Sequence, residues 1–247
     1  MNEDVELALP GGNVGGAVRV GDTVRRPTGP WTPAVHALLA HVGARVPHVP
    51  EVLGFDDQGR EVLTYLPGEV IDIETQALTD AQLSALVSWT RDFHQAVADF
   101  DHEGPWRFVP GPEPTLIGHN DIAPYNACFT SDELTGVFDW DFAGPSSPTN
   151  ELAFIAWNGV PLTRDVGTRE SARRLALISA AYGGVEPQAV LDQVPARIQQ
   201  MFDGMARGVA AGDPGMVRLV QLGEPQRSRR TLAELMTRIP AIRDAIA

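Results

Sequence analysis

His119, Asp121 and Asn126 fall within eight residues of one another in "TLIGHNDIAPYNACF", residues 115–129. An imidazole, a carboxylate and an amide this close together, just after a short apolar run, are too near to sit on separate elements. They read as one tight loop aiming polar side chains at a common point. The stretch that follows, "NACFTSDELTGVFDWD" (126–141), reads as a hairpin, with five residues (Ala127 to Ser131) leading into Asp132-Glu133 and five (Leu134 to Phe138) leading out. A two-residue turn at Asp132-Glu133 would pair Ala127 with Phe138 and set Asn126 opposite Asp139. Opposed residues in an antiparallel ladder have Cα atoms about 4.5–5.5 Å apart. An amide oxygen and a carboxylate at that separation can share one hard cation. Magnesium suits such oxygen ligands and keeps its remaining positions for water and phosphate.

Asp121 lies in the same loop but off the hairpin. It can therefore meet a substrate hydroxyl beside the metal without being a ligand itself. An aspartate of ordinary acidity is a weak base, yet it orients a hydroxyl and accepts its proton late in a loose phosphoryl-transfer transition state. His119 reads as support for the loop through hydrogen bonds rather than as a proton carrier.

Two kinds of chain surround this loop. Residues 1–66 are strand-rich: "VELAL", "GAVRVG", "DTVRRP", "EVLGFDD" and "REVLTYL" are short β-favouring runs bounded by Gly, Pro and Asp. Asp57-Gln58-Gly59 reads as the turn between the last two. One helix interrupts them, "TPAVHALLAHV", with Thr32 as cap and Pro33 in the first turn. Pro67-Gly68 then reads as a hinge. After it, "TDAQLSALVSWTRDFHQAVADF" opens with a capping box, Thr79 and Gln82, and carries an apolar stripe. Helices are expected over 149–158, 168–182, 187–203, 214–222 and 229–246. The expected organisation is a sheet lobe, 1–66, and a larger helical lobe, 67–247, holding the polar loop.

Composition narrows the chemistry. The 247 residues suffice for one large domain or two lobes around a cleft. A net charge of −13 argues against nucleic-acid binding, which needs basic patches. An acidic surface suits a cationic small molecule, and serves equally as a solubility device. No apolar run reaches the roughly 18–20 residues of a membrane span, and "MNEDVELALP" lacks the pattern of a signal peptide. Cys128 is the only cysteine, so no internal disulfide forms and a reducing cytoplasm is expected. All 19 basic residues apart from histidine are arginine. Any task that needs lysine must be met by arginine here.

"LPGGNVGGAVRV" lies between two expected strands, and its glycines, Gly11, Gly12, Gly15 and Gly16, let a backbone close over phosphates and present N–H groups. Glycines also occur in many plain hairpins. In "DTVRRP" strand alternation puts Val24 and Arg26 on one face and Arg25 on the other.

His119-Asn120-Asp121 with Asn126 five residues past the aspartate resembles the H-x-D-x-x-x-x-N catalytic loop of kinases. "GHNDIAPYN…GVFDWDFAGP…NELA" is most similar to the aminoglycoside phosphotransferase family, whose relatives include choline and homoserine kinases. The resemblance implies an α+β, bilobal protein-kinase-like fold: a small antiparallel-sheet lobe with one helix, a larger helical lobe, and ATP or GTP between them. It implies Asp121 as catalytic base and Asn126 and Asp139 as magnesium ligands. It implies a small hydroxyl acceptor held by the helical lobe. Acidic Asp165, Glu170, Asp192 and Asp203 are available there for an amine, though they read mainly as solvated helix faces. Leu63, Tyr65 and Leu66 in "LTYLPGEV" can cover a nucleotide base. The family's phosphate-gripping lysine falls on Arg26, or on Arg25 if the strand register is one residue out. The helix glutamate that usually pairs with that lysine is missing from "PWTPAVHALLAHV", so the usual ion pair is expected to be absent: either the lobe holds Arg26 differently, or Arg26 is less well held and nucleotide binding is weakened. His36 reads as a helix-face histidine, Glu151 as an acid at a helix start that favours the dipole, and Asp141 as structural. A nucleotide-binding pseudo-enzyme is the alternative reading.

Overall fold

Valine and leucine alternate with charged residues through the first quarter of the chain, the pattern of a half-buried antiparallel sheet. In a computed structural model the described residues are 5–9, 16–73, 75–108, 110–111, 113–164 and 166–246. Strands β1 (Leu7–Ala8), β2 (Val18–Val20), β3 (Thr23–Arg26), β4 (Val52–Phe55) and β5 (Glu61–Thr64) form one sheet in the order β1-β2-β3-β5-β4. In the β3–β5 ladder Val24 faces Leu63 and Arg26 faces Glu61. The turn before β5 closes where expected, with the Gly59 N–H donating to Asp56 O (2.9 Å) at a positive φ that glycine tolerates.

Helix α1 (Thr32–Gly43) follows β3 and buries Val35, Leu38, Leu39 and Val42. Its cap position is Trp31, not the expected Thr32. The Thr32 hydroxyl instead accepts the Gly29 N–H (2.9 Å), tightening the preceding turn.

The chain enters the second lobe through a close-packed crossing. β6 (Glu69–Val70) pairs with β8 (Ala127–Thr130), which pairs with β9 (Glu133–Val137). Thr135 Oγ1 donates to Pro67 O at 2.6 Å. Gly68 has φ +142°, and a Cβ there would lie 2.4 Å from Thr135 Oγ1 and 3.0 Å from the Phe129 backbone. The β8–β9 hairpin turns at Ser131-Asp132, one residue earlier than expected. That shifts the register by two residues, and a bulge between Cys128 and Phe129 restores one, so Ala127 faces Val137 rather than Phe138.

The helical lobe comprises α2 (Asp80–Ala96), α3 (Pro148–Gly159), α4 (Thr168–Tyr182), α5 (Pro187–Ala210), α6 (Pro214–Gln221) and α7 (Gln226–Ile246). Proline opens α3, α5 and α6, where its missing N–H costs nothing. The expected capping box of α2 is present in both directions. Helix α5 runs past the expected end at 203: Phe202 and Met205 are buried, and that burial outweighs the roughly 1 kcal/mol cost of Gly204. Strands β7 (Leu116–Gly118) and β10 (Gly144–Ser146) pair beneath the polar loop. The core is continuous from Leu38 through Phe93, Trp140 and Ile155 to Ile198. Among the described residues no helix is long and apolar enough to cross a membrane.

Gly68→Ala is expected to destabilise the fold by roughly 1–3 kcal/mol, because it combines overpacking with a backbone conformation that alanine resists. Urea denaturation midpoints of the two proteins measure it.

Candidate active site

The polar loop begins where β7 ends and is built on Glu151. This residue lies in the first turn of α3 and is 1% exposed. Its Oε2 accepts the His119 N–H and its Oε1 the Asn120 N–H, both at 2.9 Å. A helix dipole is therefore the lesser part of its role: it satisfies two buried backbone donors that would otherwise be orphaned. His119 uses both ring nitrogens on the backbone. Nε2 donates to Phe138 O (3.1 Å), and Nδ1 accepts the Asp121 N–H (3.2 Å). Those partners select one neutral tautomer, and burial pushes the imidazole below its usual pKa, which keeps it neutral. Asn120, at φ +62°, donates from Nδ2 to Gly144 O (3.0 Å). From α5, buried Arg197 donates to Asn120 O (2.5 Å) and lies over the Phe154 ring.

This scaffold presents Asp121. Asn126 Nδ2 donates to Asp121 Oδ2 (2.7 Å) and to its carbonyl (2.9 Å), and Tyr125 OH lies 3.5 Å from Oδ1. Burial pushes the Asp121 carboxyl well above the usual range, the Asp139 charge adds to this, and Arg197 and Asn126 oppose it. The expectation of ordinary acidity is thus overturned. Asp121 is a stronger base than a solvated aspartate because the site desolvates it.

Asn126 and Asp139 are near neighbours, but not opposed residues. The Phe138 N–H donates to Asn126 O (3.0 Å), so Phe138 takes the opposing place. Asp139 comes one residue later in a left-handed conformation (φ 62°, ψ 65°). The Asn126 amide nitrogen is committed to Asp121, which leaves Oδ1 as the free acceptor. The Asp139 side chain is 39% exposed. One amide oxygen and one open carboxylate fit a magnesium ion that completes its shell with water and phosphate. Among the described residues no cluster of three or more His, Cys, Asp or Glu could hold a metal by itself. A metal here needs ligands from outside the chain.

Arg26 is tightly held, by partners other than a helix glutamate. Its Nε is 3.1 Å from Glu61 Oε1, and its Nη2 is 3.0 Å from Asp139 Oδ1 and 2.6 Å from Asp141 Oδ1. Burial works against its charge, but Asp139, Asp141 and Glu61 raise its pKa further. The missing helix glutamate is replaced from the neighbouring strand: the β3–β5 register puts Glu61 beside Arg26. His36 serves at one remove, its Nε2 2.7 Å from Glu61 Oε2. Arg25 turns the other way and lies 4.0 Å from Asp56, as strand alternation requires. Asp141 also meets Arg107 (3.3 Å), which pairs with Asp213 at 2.8 Å and stacks on Trp31.

The other expected residues are scattered. Gly11, Gly12 and Gly15 lie outside the described residues. Gly16 precedes β2 at φ +52° with open space around it. Tyr65 donates its N–H to Asp22 O (2.9 Å), and its ring lies under the Arg19 guanidinium at 3.8 Å. Leu66 packs against Gly136, where any Cβ would lie 2.7 Å from the Leu66 Cβ. Leu63 is buried in the core. Asp165 lies outside the described residues; Glu170 pairs with Arg173, Asp192 with Arg243 and Asp203 with Gln199, all on helix surfaces. Glu61, Arg107, Tyr125 and Arg197 carry no motif. Only Glu61 was within reach of sequence, through strand register.

The phosphotransferase enzyme family matches this chain over residues 105–191, the stretch that holds the polar loop and Asp139. The trifolitoxin immunity protein of Rhizobium leguminosarum bv. trifolii is 31% identical over 201 residues, covering 78% of this chain and 74% of its own. The chain belongs to the aminoglycoside phosphotransferase family. Its fold is shared with a choline/ethanolamine kinase family protein from Mesorhizobium loti, at 18% identity and a TM-score of 0.59, covering 94% of this chain and 92% of that one. It is shared equally with aminoglycoside 2'-phosphotransferase-IIIa, solved as a GDP complex, at 16% identity and a TM-score of 0.58, covering 97% and 94%. The family's bilobal, kinase-like α+β architecture is thus that of this chain.

The raised Asp121 pKa has a consequence for stability. Between the ordinary carboxyl range and the raised value, the folded protein keeps a proton that the unfolded chain has lost. Stability therefore falls as pH rises through that window, as the buried group takes up its charge. Asn at this position has no proton to lose. Asp121→Asn is expected to melt higher than the parent above the ordinary carboxyl range, by a margin that widens as pH rises through the window. The gain should vanish below about pH 4. Melting curves across pH check both.

Proposed function

We propose that this chain transfers the γ-phosphate of ATP or GTP to a hydroxyl of a small molecule, with Asp121 as the base. The observation that carries the proposal is the Asp121 carboxyl itself: desolvated, raised in basicity, and fixed by Asn126 beside the open Asp139 carboxylate. Family membership supports the reaction class, and the GDP bound to a structural neighbour supports a nucleotide donor.

On this reading Asn126 Oδ1 and Asp139 would hold magnesium, which would supply charge neutralisation at the phosphates. Residues 1–66 form the nucleotide lobe and 67–247 the acceptor lobe. Gly11, Gly12, Gly15 and Gly16 cover the phosphates, Arg26 grips them, and Tyr65 and Leu66 border the base. Asp121 orients the acceptor hydroxyl in line with the γ-phosphorus. The acceptor oxygen forms its bond to phosphorus as the bond to the β–γ bridging oxygen breaks; the hydroxyl proton passes to Asp121, and the nucleoside diphosphate leaves with the bridging oxygen. Neutral His119 and Glu151 hold the loop and exchange no proton with substrate. The names of the structural neighbours point to aminoglycosides or amino alcohols as acceptors, and the net charge of −13 suits a cationic one. A cytoplasmic setting would supply the nucleotide and keep Cys128 reduced.

One observation favours a second reading, a nucleotide-binding protein without turnover. Arg26 lies on Asp139, where the metal would go. The similarity to an immunity protein, whose name describes protection rather than catalysis, agrees with it. Purified protein incubated with ATP or GTP, magnesium and a panel of small alcohols separates the two. Nucleoside diphosphate and a phosphorylated alcohol support transfer; binding without turnover supports the alternative.

Asp121→Asn is expected to reduce turnover by about 10²–10⁴-fold while nucleotide affinity survives. A loss under tenfold contradicts the assignment. Arg26→Ala is expected to weaken nucleotide binding by roughly 1.5–3 kcal/mol, the scale of a charged hydrogen bond, with Arg25→Ala having much less effect. Calorimetric titration of nucleotide into both variants decides between them.

A further inference from the structure

Arg26 is held from two directions that compete. Glu61 reaches it from the sheet, on Nε; Asp139 and Asp141 reach it from the helical lobe, both on Nη2. On the reading above, a magnesium nucleotide needs Asp139 for the metal and Arg26 for the phosphates. One guanidinium nitrogen cannot keep Asp139 and serve both ends.

The surroundings show which contact can yield. Glu61 is 3% exposed, lies directly across the β3–β5 ladder from Arg26, and is held from behind by His36 of α1 at 2.7 Å. Asp141 keeps Arg107 at 3.3 Å if Arg26 moves away. Asp139 forms no second ion pair among the described residues, and its side chain is the most open of the three carboxylates. A metal arriving at Asp139 therefore replaces the charge that Arg26 withdraws, and no carboxylate is left bare.

We infer that Glu61, held by His36, is the pivot on which Arg26 turns from Asp139 to the nucleotide phosphates when metal binds. Glu61 and His36 are thus positioning residues that set the magnesium demand of nucleotide binding. The inference rests on the proposed phosphotransferase reading and assigns the helix, through His36, a part in phosphate recognition although it carries no acid.

The test titrates ATP and GTP into the parent, Glu61→Gln, His36→Ala and His36→Gln across a range of magnesium concentrations, and titrates manganese alone into the parent, Glu61→Gln and Arg26→Ala. Melting curves establish that each variant is folded, and His36→Ala carries the test if Glu61→Gln is not. Without the Glu61 charge, Arg26 stays on Asp139. Glu61→Gln should then weaken nucleotide binding about tenfold at fixed magnesium and raise the magnesium needed for half-saturation. His36→Ala should act in the same direction and less, with His36→Gln recovering part of the loss. Manganese alone should bind Arg26→Ala more tightly than the parent, and Glu61→Gln more weakly. If the parent binds and turns over nucleotide while folded Glu61→Gln and His36→Ala keep its affinity and magnesium demand, the pivot is wrong and the phosphotransferase reading stands. If Arg26→Ala gains no manganese affinity, the competition at Asp139 is wrong. If the parent binds no nucleotide, both the reading and the pivot fall.

Discussion

Burying one guanidinium among carboxylates from two lobes is the constraint on which the rest of this structure depends. Arg26 comes from the sheet, and two of its three partners, Asp139 and Asp141, come from the stretch that follows β9. Desolvating such charges costs several kcal/mol per ion, and only close, well-oriented partners offset it. The contacts therefore fix position more than they add stability. They tie the end of β3 to the left-handed turn at Asp139, and through Asp141 and Arg107 they reach Asp213, whose side chain caps α6. A chain of alternating charges thus joins the two lobes beside the apolar core that runs through both.

The same logic in reverse shapes the polar loop. There the charges are kept apart or removed. Glu151 spends its oxygens on two backbone N–H groups, and His119 spends its nitrogens on two backbone positions, so neither competes for the substrate side. Trp140 closes over the imidazole at 4.5 Å and excludes water from it. Asp121 is left as the acid whose basicity the site raises, and Asn126 as the amide that orients it. Preorganised loops of this kind lose little to reorganisation when charge moves during reaction.

Much of this was legible in the sequence, for physical reasons that differ by element. The capping box at Thr79 and Gln82, the proline starts of α3, α5 and α6, and the turn at Gly59 are local signals, and each element formed where they stood. The facing of Arg26 and Arg25 follows from the two-residue period of a strand. What failed was non-local. The turn at Ser131-Asp132 and the bulge between Cys128 and Phe129 together leave the hairpin one residue out of the expected register, and nothing in "NACFTSDELTGVFD" marks either. The acidity of Asp121 depends on burial by elements distant in sequence. The family pattern points to α1 for the partner of Arg26; it lies in β5, and only the sheet order β3-β5-β4 puts it there. Arg107 sits in irregular chain, where no periodicity gives its direction.

On the proposed reading Asn126 and Asp139 form a metal site completed by nucleotide phosphates, with Arg26 moved off Asp139. A crystal structure of the parent with magnesium and a non-hydrolysable ATP or GTP analogue tests it most directly. A metal is expected about 2.0–2.2 Å from Asn126 Oδ1 and an Asp139 oxygen, with Arg26 Nη2 on a phosphate and Nε still on Glu61. A nucleotide bound with Asp139 turned away from the phosphates and still paired to Arg26 would contradict it.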